Sequence, residues 1–198
     1  MKLATIGAGK IGGTLGTKWA KAGHNVNFGV PDPDNPAYEK LQPLGKVASP
    51  LNAIENAEIV LMAIPGTAMS DFGAQYGKLL AGKIVIDATN NPRLPVLNSL
   101  ETLHTHAPNA HLVRAFNIVG AENLAEPRFG NTPLDMFYCG YAPARPNLDQ
   151  LIQDAGMRPI YLGDIDFAPL VDGLTRVWFT LAFSQGHGRR IAFKLLEQ

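Results

Sequence analysis

The sequence predicts an α/β protein, a doubly wound parallel sheet with a small C-terminal helical cap, and three observations carry that prediction. Short apolar runs alternate with segments of helical periodicity along most of the chain. Two of the runs, Glu58–Ile64 and Lys83–Asp87, hold continuous apolar stretches, as central strands buried on both faces do. A glycine-rich turn, Gly7-Ala8-Gly9-Lys10-Ile11-Gly12, stands directly between the first apolar run and the first helical segment.

Taken in order, strands are expected at 2–6, 25–29, 46–48, 58–64, 83–87, 111–116, 135–139 and 158–162. Helices fit 11–22, 50–57, 67–81, 94–106 and 145–155, bounded by breakers such as Gly23, Pro65-Gly66, Gly82, Pro108 and Gly156. From Phe167 onward the pattern changes. Leu170, Val171, Leu174, Val177, Trp178, Leu181 and Ala182 form the stripe of one more helix, open to three readings: core packing, a crevice wall or a dimer face. Ser184-Gln185-Gly186-His187-Gly188 breaks it, and a short helix is expected from Arg189 to Leu196. The chain thus divides into a sheet domain, 1–165, and a cap, 166–198.

The 198 residues suffice for one good-sized core. Lysine plus arginine (17) balances aspartate plus glutamate (17), which argues against a chain-wide basic field and so against nucleic acid or an anionic membrane as partner. The balance is uneven: Lys2, Lys10, Lys18 and Lys21 face no acid before residue 32, and Arg176, Arg189, Arg190 and Lys194 face only Glu197 after residue 172. Those two segments are the expected sites of an anionic ligand. No run approaches a membrane helix in length, and a cytoplasmic protein is expected. Cys139, the single cysteine, lies in an apolar strand and reads as a core thiol. No metal site is expected: His104 and His106 are spaced onto different helix faces and read as solvent-facing.

The glycine turn points to a dinucleotide. Gly7 permits the strand-to-helix turn, Gly9 leaves backbone bare for a pyrophosphate, and Gly12 lets the helix approach the strand. Lys10 and Ile11 lie within the same turn, at a helix N-terminus whose free N–H groups attract anions. No Gly-Lys-Ser/Thr follows, so it is not a nucleotide triphosphate loop. In such folds the ligand lies across the carboxyl ends of the strands. The candidate contacts there are Val30 after the second strand, Ala63-Ile64-Pro65 after the fourth, Thr89-Asn90 after the fifth, and Ala115 and Asn117 after the sixth. At the second strand end Gly29 offers no acid for a ribose hydroxyl, whereas Asp32 would repel a 2′-phosphate, and the choice between NAD and NADP stays open.

Gly7–Gly12 with Trp19-Ala20-Lys21-Ala22-Gly23-His24, the run Gly82–Asn90, Val113-Arg114-Ala115-Phe116-Asn117 and the tail from Trp178 together resemble the coenzyme F420-dependent NADP oxidoreductases. The chain is also similar to the reductase domain of the six-transmembrane metalloreductases. The resemblance implies a Rossmann fold, NADP(H) as cofactor, direct hydride transfer to a flat acceptor such as coenzyme F420 or a flavin, and a homodimer. It also implies a Ser-Arg pair gripping the 2′-phosphate, where this chain has Val30-Pro31.

Hydride transfer between parallel rings needs proximity more than an acid or base. The sequence accordingly shows no Gly-x-Ser-x-Gly, His-Glu-x-x-His or Cys-x-x-Cys motif. Asn117 and His187 are the candidate catalytic groups, Asn117 toward the carboxamide or acceptor and His187 as proton donor or acceptor contact. Two other functions fit the same turn: a reductase of a small imine or carbonyl, and a non-catalytic NADP(H) sensor.

Overall fold

The computed structural model describes residues 1–198 as two compact units, Met1–Leu112 and Val113–Gln198. In the first unit, β1 (Lys2–Ile6), α1 (Gly12–Lys21), β2 (Asn25–Gly29), β3 (Lys46–Ala48), α2 (Pro50–Glu55), β4 (Ile59–Met62), α3 (Met69–Tyr76), β5 (Ile84–Asp87) and α4 (Leu100–His106) follow one another. The strands lie in the order β3-β2-β1-β4-β5, all parallel. Parallel neighbours force crossovers, and the helices supply them. Successive side chains of a strand face opposite ways, so the neighbours of Phe28 and Gly29 reveal what covers each face. A Cβ on Gly16 of α1 would meet the Phe28 ring, and one on Gly29 would meet Ala53 of α2. The two helices therefore cover opposite faces, the doubly wound arrangement expected.

The strands at 2–6, 25–29 and 46–48 match expectation, the one expected at 135–139 runs one residue further to Gly140, and the others are shorter. The expected helix 94–106 begins only at Leu100, because Asn91 accepts the amide of Leu94 and donates both its amide and its Nδ2 to Leu97 O, closing 91–97 into a loop. A 3-10 helix at Pro36–Leu41 was not foreseen; Pro36 starts it and the Asn35 carboxamide accepts from Ala37 N at 3.0 Å. His104 is exposed as expected, but His106 is half-buried: a Cβ on Gly73 of α3 would lie 2.9 Å from its ring, and one on Gly77, just past α3, would lie 2.3 Å from its carbonyl oxygen.

The boundary between the units falls inside β6 (His111–Arg114). The second unit continues through α5 (Ala121–Ala125), the hairpin β7 (Arg128–Phe129) and β8 (Thr132–Pro133), β9 (Asp135–Gly140), α6 (Arg145–Asp154), β10 (Arg158–Tyr161) and α7 (Ala168–Phe179). β9 is parallel to β10 but antiparallel to the end of β6, a departure from an all-parallel sheet. Cys139 is buried on β9, and burial pushes its thiol up to about 12. No helix is long and apolar enough to cross a membrane.

The terminal segment corrects the sequence reading. α7 ends in a π-helical turn, Thr180–Ser184, and residues 189–196 are extended rather than helical. Carbonyls of alternate residues are bonded, as an extended chain presents them: Arg189 and Ile191 accept from Asn123 Nδ2 at 2.8 and 3.0 Å, and Phe193 accepts from Asp135 N at 3.2 Å. The Trp178 indole adds a bond to Ile191 O at 2.9 Å. The basic residues of the segment are spent on this docking. Arg189 pairs with Glu122, Arg190 reaches Asn123 Oδ1 and the carbonyls of Glu126 and Arg128, and Lys194 reaches Asp135 at 2.7 Å. Three of the four cations of the tail are thus engaged within the chain.

Buried Asp135 collects Arg158, Lys194 and the amide of Leu195. Burial raises its carboxyl, but those partners outweigh burial and hold it below the ordinary aspartate range. Its contribution is therefore present above the unfolded value of about 4 and is lost as pH falls through the lowered folded value. Acid unfolding of wild type and Asp135→Asn, compared by circular dichroism, should show the variant less stable at neutral pH and the gap closing below about pH 4. In the native protein Cys139 should resist a thiol reagent at neutral pH and react fully once the chain is denatured.

Candidate functional site

In the first unit the switch point of the sheet lies between β1 and β4, where one neighbour follows in sequence and the other returns from β3. Ligands of open α/β sheets sit at the carboxyl ends of the strands beside such a point. The glycine turn occupies it. Gly7 takes φ +94°, and its amide donates to Gly29 O at 2.9 Å, tying the turn to the tip of β2. A Cβ on Gly7 would lie 2.6 Å from Ala63 O. A Cβ on Gly12 would lie 1.9 Å from Gly7 O and 3.1 Å from Ala63 Cβ. Neither position tolerates a side chain, so Gly7, Gly12 and Ala63 converge to backbone contact.

Gly9 is different. It is exposed, and a Cβ there would meet nothing within 4 Å. The protein's own packing does not demand glycine at this position, and its bare backbone leaves the room that a closely approaching pyrophosphate requires. Lys10 is exposed beside it and Ile11 is half-buried at the helix cap. No side chain caps α1, no acid lies in its first turn, and Lys18 and Lys21 sit in its last, so the N-terminal N–H groups meet no competing carboxylate of the helix. The residues present fit a dinucleotide.

The remaining candidates of this unit lie along the same carboxyl edge. Val30 is buried, and its amide donates to Ala48 O at 2.9 Å. Ala63 and Ile64 are partly exposed and Pro65 is exposed, with Ala63 N bonded to Ile6 O at 2.9 Å. Thr89 is buried, and its hydroxyl and amide both reach Asp87 Oδ1, at 2.7 and 2.9 Å. Asp87 Oδ2 accepts from Ser99 N at 2.8 Å, and the Thr89 and Ser99 hydroxyls lie 2.8 Å apart. Thr89 is therefore a bracket for the loop after β5, while half-buried Asn90 remains at its mouth. The sequence reading missed Asp87 and Ser99; the two-residue spacing of Asp87 and Thr89, an Asx turn, was the available signal.

In the second unit Ala115, Phe116 and Asn117 are buried after β6. Phe116 takes φ +62°, costly for an aromatic residue at about 1–3 kcal/mol. What holds it is a polar core: Arg114, fully buried, donates from Nε and Nη2 to Asp172 Oδ1 at 2.9 and 2.8 Å, and Asn117 Nδ2 donates to Thr175 Oγ1 at 2.8 Å. Arg114 and Asn117 thereby fasten the strained turn to α7. His187 is exposed between Gly186 and Gly188, both at positive φ, with its amide donating to Leu181 O at 3.1 Å.

Residues 2–91 match the family model for NADP oxidoreductase, coenzyme F420-dependent. Over its whole length the chain is similar to the crystal structure of a protein assigned as an F420-dependent NADP-reductase from Arthrobacter sp. FB24, at 27% identity and a TM-score of 0.85, covering 100% of both chains. It is 28% identical over 184 residues to the human metalloreductase STEAP2, covering 90% of this chain and 36% of that protein, so it spans about a third of the curated relative. The Streptomyces aurantiacus imine reductase shares the fold, at 17% identity and a TM-score of 0.72, covering 93% of this chain and 64% of that one.

Gly9→Val should leave the unfolding midpoint close to wild type, since open space surrounds the position, yet weaken NADH and NADPH binding by about a hundredfold or more, or 2.7 kcal/mol. Gly12→Ala should instead lower stability, with both effects read by denaturant titration and fluorescence. Breaking the buried pair with Asp172→Ala should destabilise by about 3–5 kcal/mol, and Arg114→Met with Asp172→Leu should recover part of the loss.

Proposed function

We propose, from a chain whose residues 2–91 belong with the coenzyme F420-dependent NADP oxidoreductases, that this protein exchanges a hydride between a reduced nicotinamide dinucleotide and a flat, flavin-like acceptor such as coenzyme F420 or a flavin. The observation that carries the reading is Gly9, a glycine the protein's own packing does not require, at an uncapped helix N-terminus beside the switch point of a parallel sheet. NADPH is the form named by the family description. When bound, the nicotinamide supplies or takes up the hydride; the protein's part is binding, orientation and exclusion of water.

The residues divide that work. Gly7, Gly9, Lys10, Ile11 and Gly12 hold the pyrophosphate, Gly7 and Gly12 by keeping the turn closed and Gly9 by staying bare. Val30 borders the adenosine ribose, and Ala63, Ile64, Pro65 and Asn90 line the path toward the nicotinamide, with Thr89 setting the loop that carries Asn90. Ala115 and Asn117 contribute a rigid turn, Asn117 as a positioning residue whose amide is committed to Thr175. His187 is the candidate proton donor or acceptor contact, exposed and between two glycines. The protein acts in the cytoplasm as a homodimer, and exposed Leu170, Val177 and Phe183 of the terminal helix and its π turn give a second copy an apolar face.

Purified protein should bind NADPH or NADH saturably, and the reduced-nicotinamide absorbance should fall when coenzyme F420 or FMN is added. Turnover on imines alone would replace the flavin-like acceptor with an imine or carbonyl. Binding without turnover on F420, FMN, ferric chelates or imines would make the protein a dinucleotide sensor, and no binding at all would remove the dinucleotide reading.

A further inference from the structure

We infer that the ribose subsite of this chain is built for the 2′-hydroxyl of NADH rather than the 2′-phosphate of NADPH, and that Asp32 sets the preference. The inference rests on the dinucleotide reading above and concerns only which dinucleotide is taken.

Where a parallel sheet of this kind reads the adenosine ribose, an acidic side chain about 20 residues beyond the glycine turn bonds the 2′-hydroxyl, and an arginine accommodates a 2′-phosphate. The structure restricts which residues can do either. Gly29, at the tip of β2, presents no side chain, and a Cβ there would crowd Ile6 Cδ1 at 2.7 Å and Ala53 Cβ at 3.1 Å. The next residue, Val30, is 1% exposed and turned into the core, with its amide committed to Ala48 O. Pro31 is exposed but has neither charge nor N–H. Asp32 is thus the first residue after the strand that can present a polar side chain. It is exposed, and it stands 20 residues after Gly12.

The backbone holds it in place. Gly7 N donates to Gly29 O, which fixes the strand tip against the phosphate turn, and Asn35 N donates to Asp32 O at 3.3 Å, which closes the turn that follows. Asn35 in turn caps the 3-10 helix at Pro36. The charge of the segment agrees with the geometry. From Val30 to Lys40 there are three carboxylates, on Asp32, Asp34 and Glu39, against the single cation Lys40. Lys46 on β3 pairs with Asn27, two residues back from the carboxyl edge. A 2′-phosphate would therefore enter a field of like charge, whereas a ribose hydroxyl would find an acceptor.

The test is a pair of binding constants, read from nicotinamide fluorescence with no acceptor present. In the wild type NADH should bind at least as tightly as NADPH. Asp32→Asn and Asp32→Ser should shift the ratio of the two constants toward NADPH by about tenfold, and Pro31→Arg should shift it the same way. Asp32 and Pro31 are exposed, so these variants should keep the wild-type unfolding midpoint. Wild-type preference for NADPH by about tenfold or more, or an unchanged ratio in both Asp32 variants, would overturn the inference while leaving the oxidoreductase reading intact. Failure of both dinucleotides to bind would overturn the two together.

Discussion

The contact between Gly12 and the carbonyl of Gly7, closed over by Ala63, is the constraint on which the first unit depends. A methyl group at Gly12 would have to occupy the space of Gly7 O, 1.9 Å from where its Cβ must lie, so α1 can start where it does only because residue 12 has no side chain. That approach also places Gly16 against Phe28 and Thr5, where a Cβ would come within 2.5 Å of the ring. One close approach thus sets the distance of α1 from β1 and β2 and leaves its N-terminus open at the sheet's switch point. Fold and proposed ligand site follow from the same three small residues.

The second unit is organised by charge that is hidden. Arg114 and Asp172 form a buried pair, and Asp135 gathers Arg158, Lys194 and Leu195 N. Buried charges are retained only when paired, and both clusters tie distant parts of the chain: Arg114 to α7, and Asp135 to β10 and the terminal strap. The first holds Phe116 in its left-handed conformation. The second engages Lys194 and, with the Arg189–Glu122 pair, takes up tail charge that, read along the sequence, would have belonged to a ligand.

What could be read from the sequence follows from the range of the forces involved. β1, β2 and β3 end where expected because alternation, glycine turns and strand length are local signals. The helix expected at 94–106 failed in its first half because Asn91 bonds Leu97 across six residues, and the helix expected at 189–196 failed because Asn123 and Asp135, more than fifty residues away, claim its backbone. The hairpin at 128–133 had a signal, Gly130-Asn131 between two short runs, with Gly130 at φ +59°. Within the site, the glycine turn was readable because each glycine answers a local steric demand. The Arg114–Asp172 pair, 58 residues apart, was not.

The central claim is that the turn from Gly7 to Gly12 holds a pyrophosphate on bare backbone at the end of α1. A crystal structure of the protein with a reduced dinucleotide tests it most directly. The pyrophosphate oxygens should lie within hydrogen-bond distance of the amides that open α1, with the ribose toward Asp32. A dinucleotide bound elsewhere on the chain, with this turn facing only solvent, would contradict it.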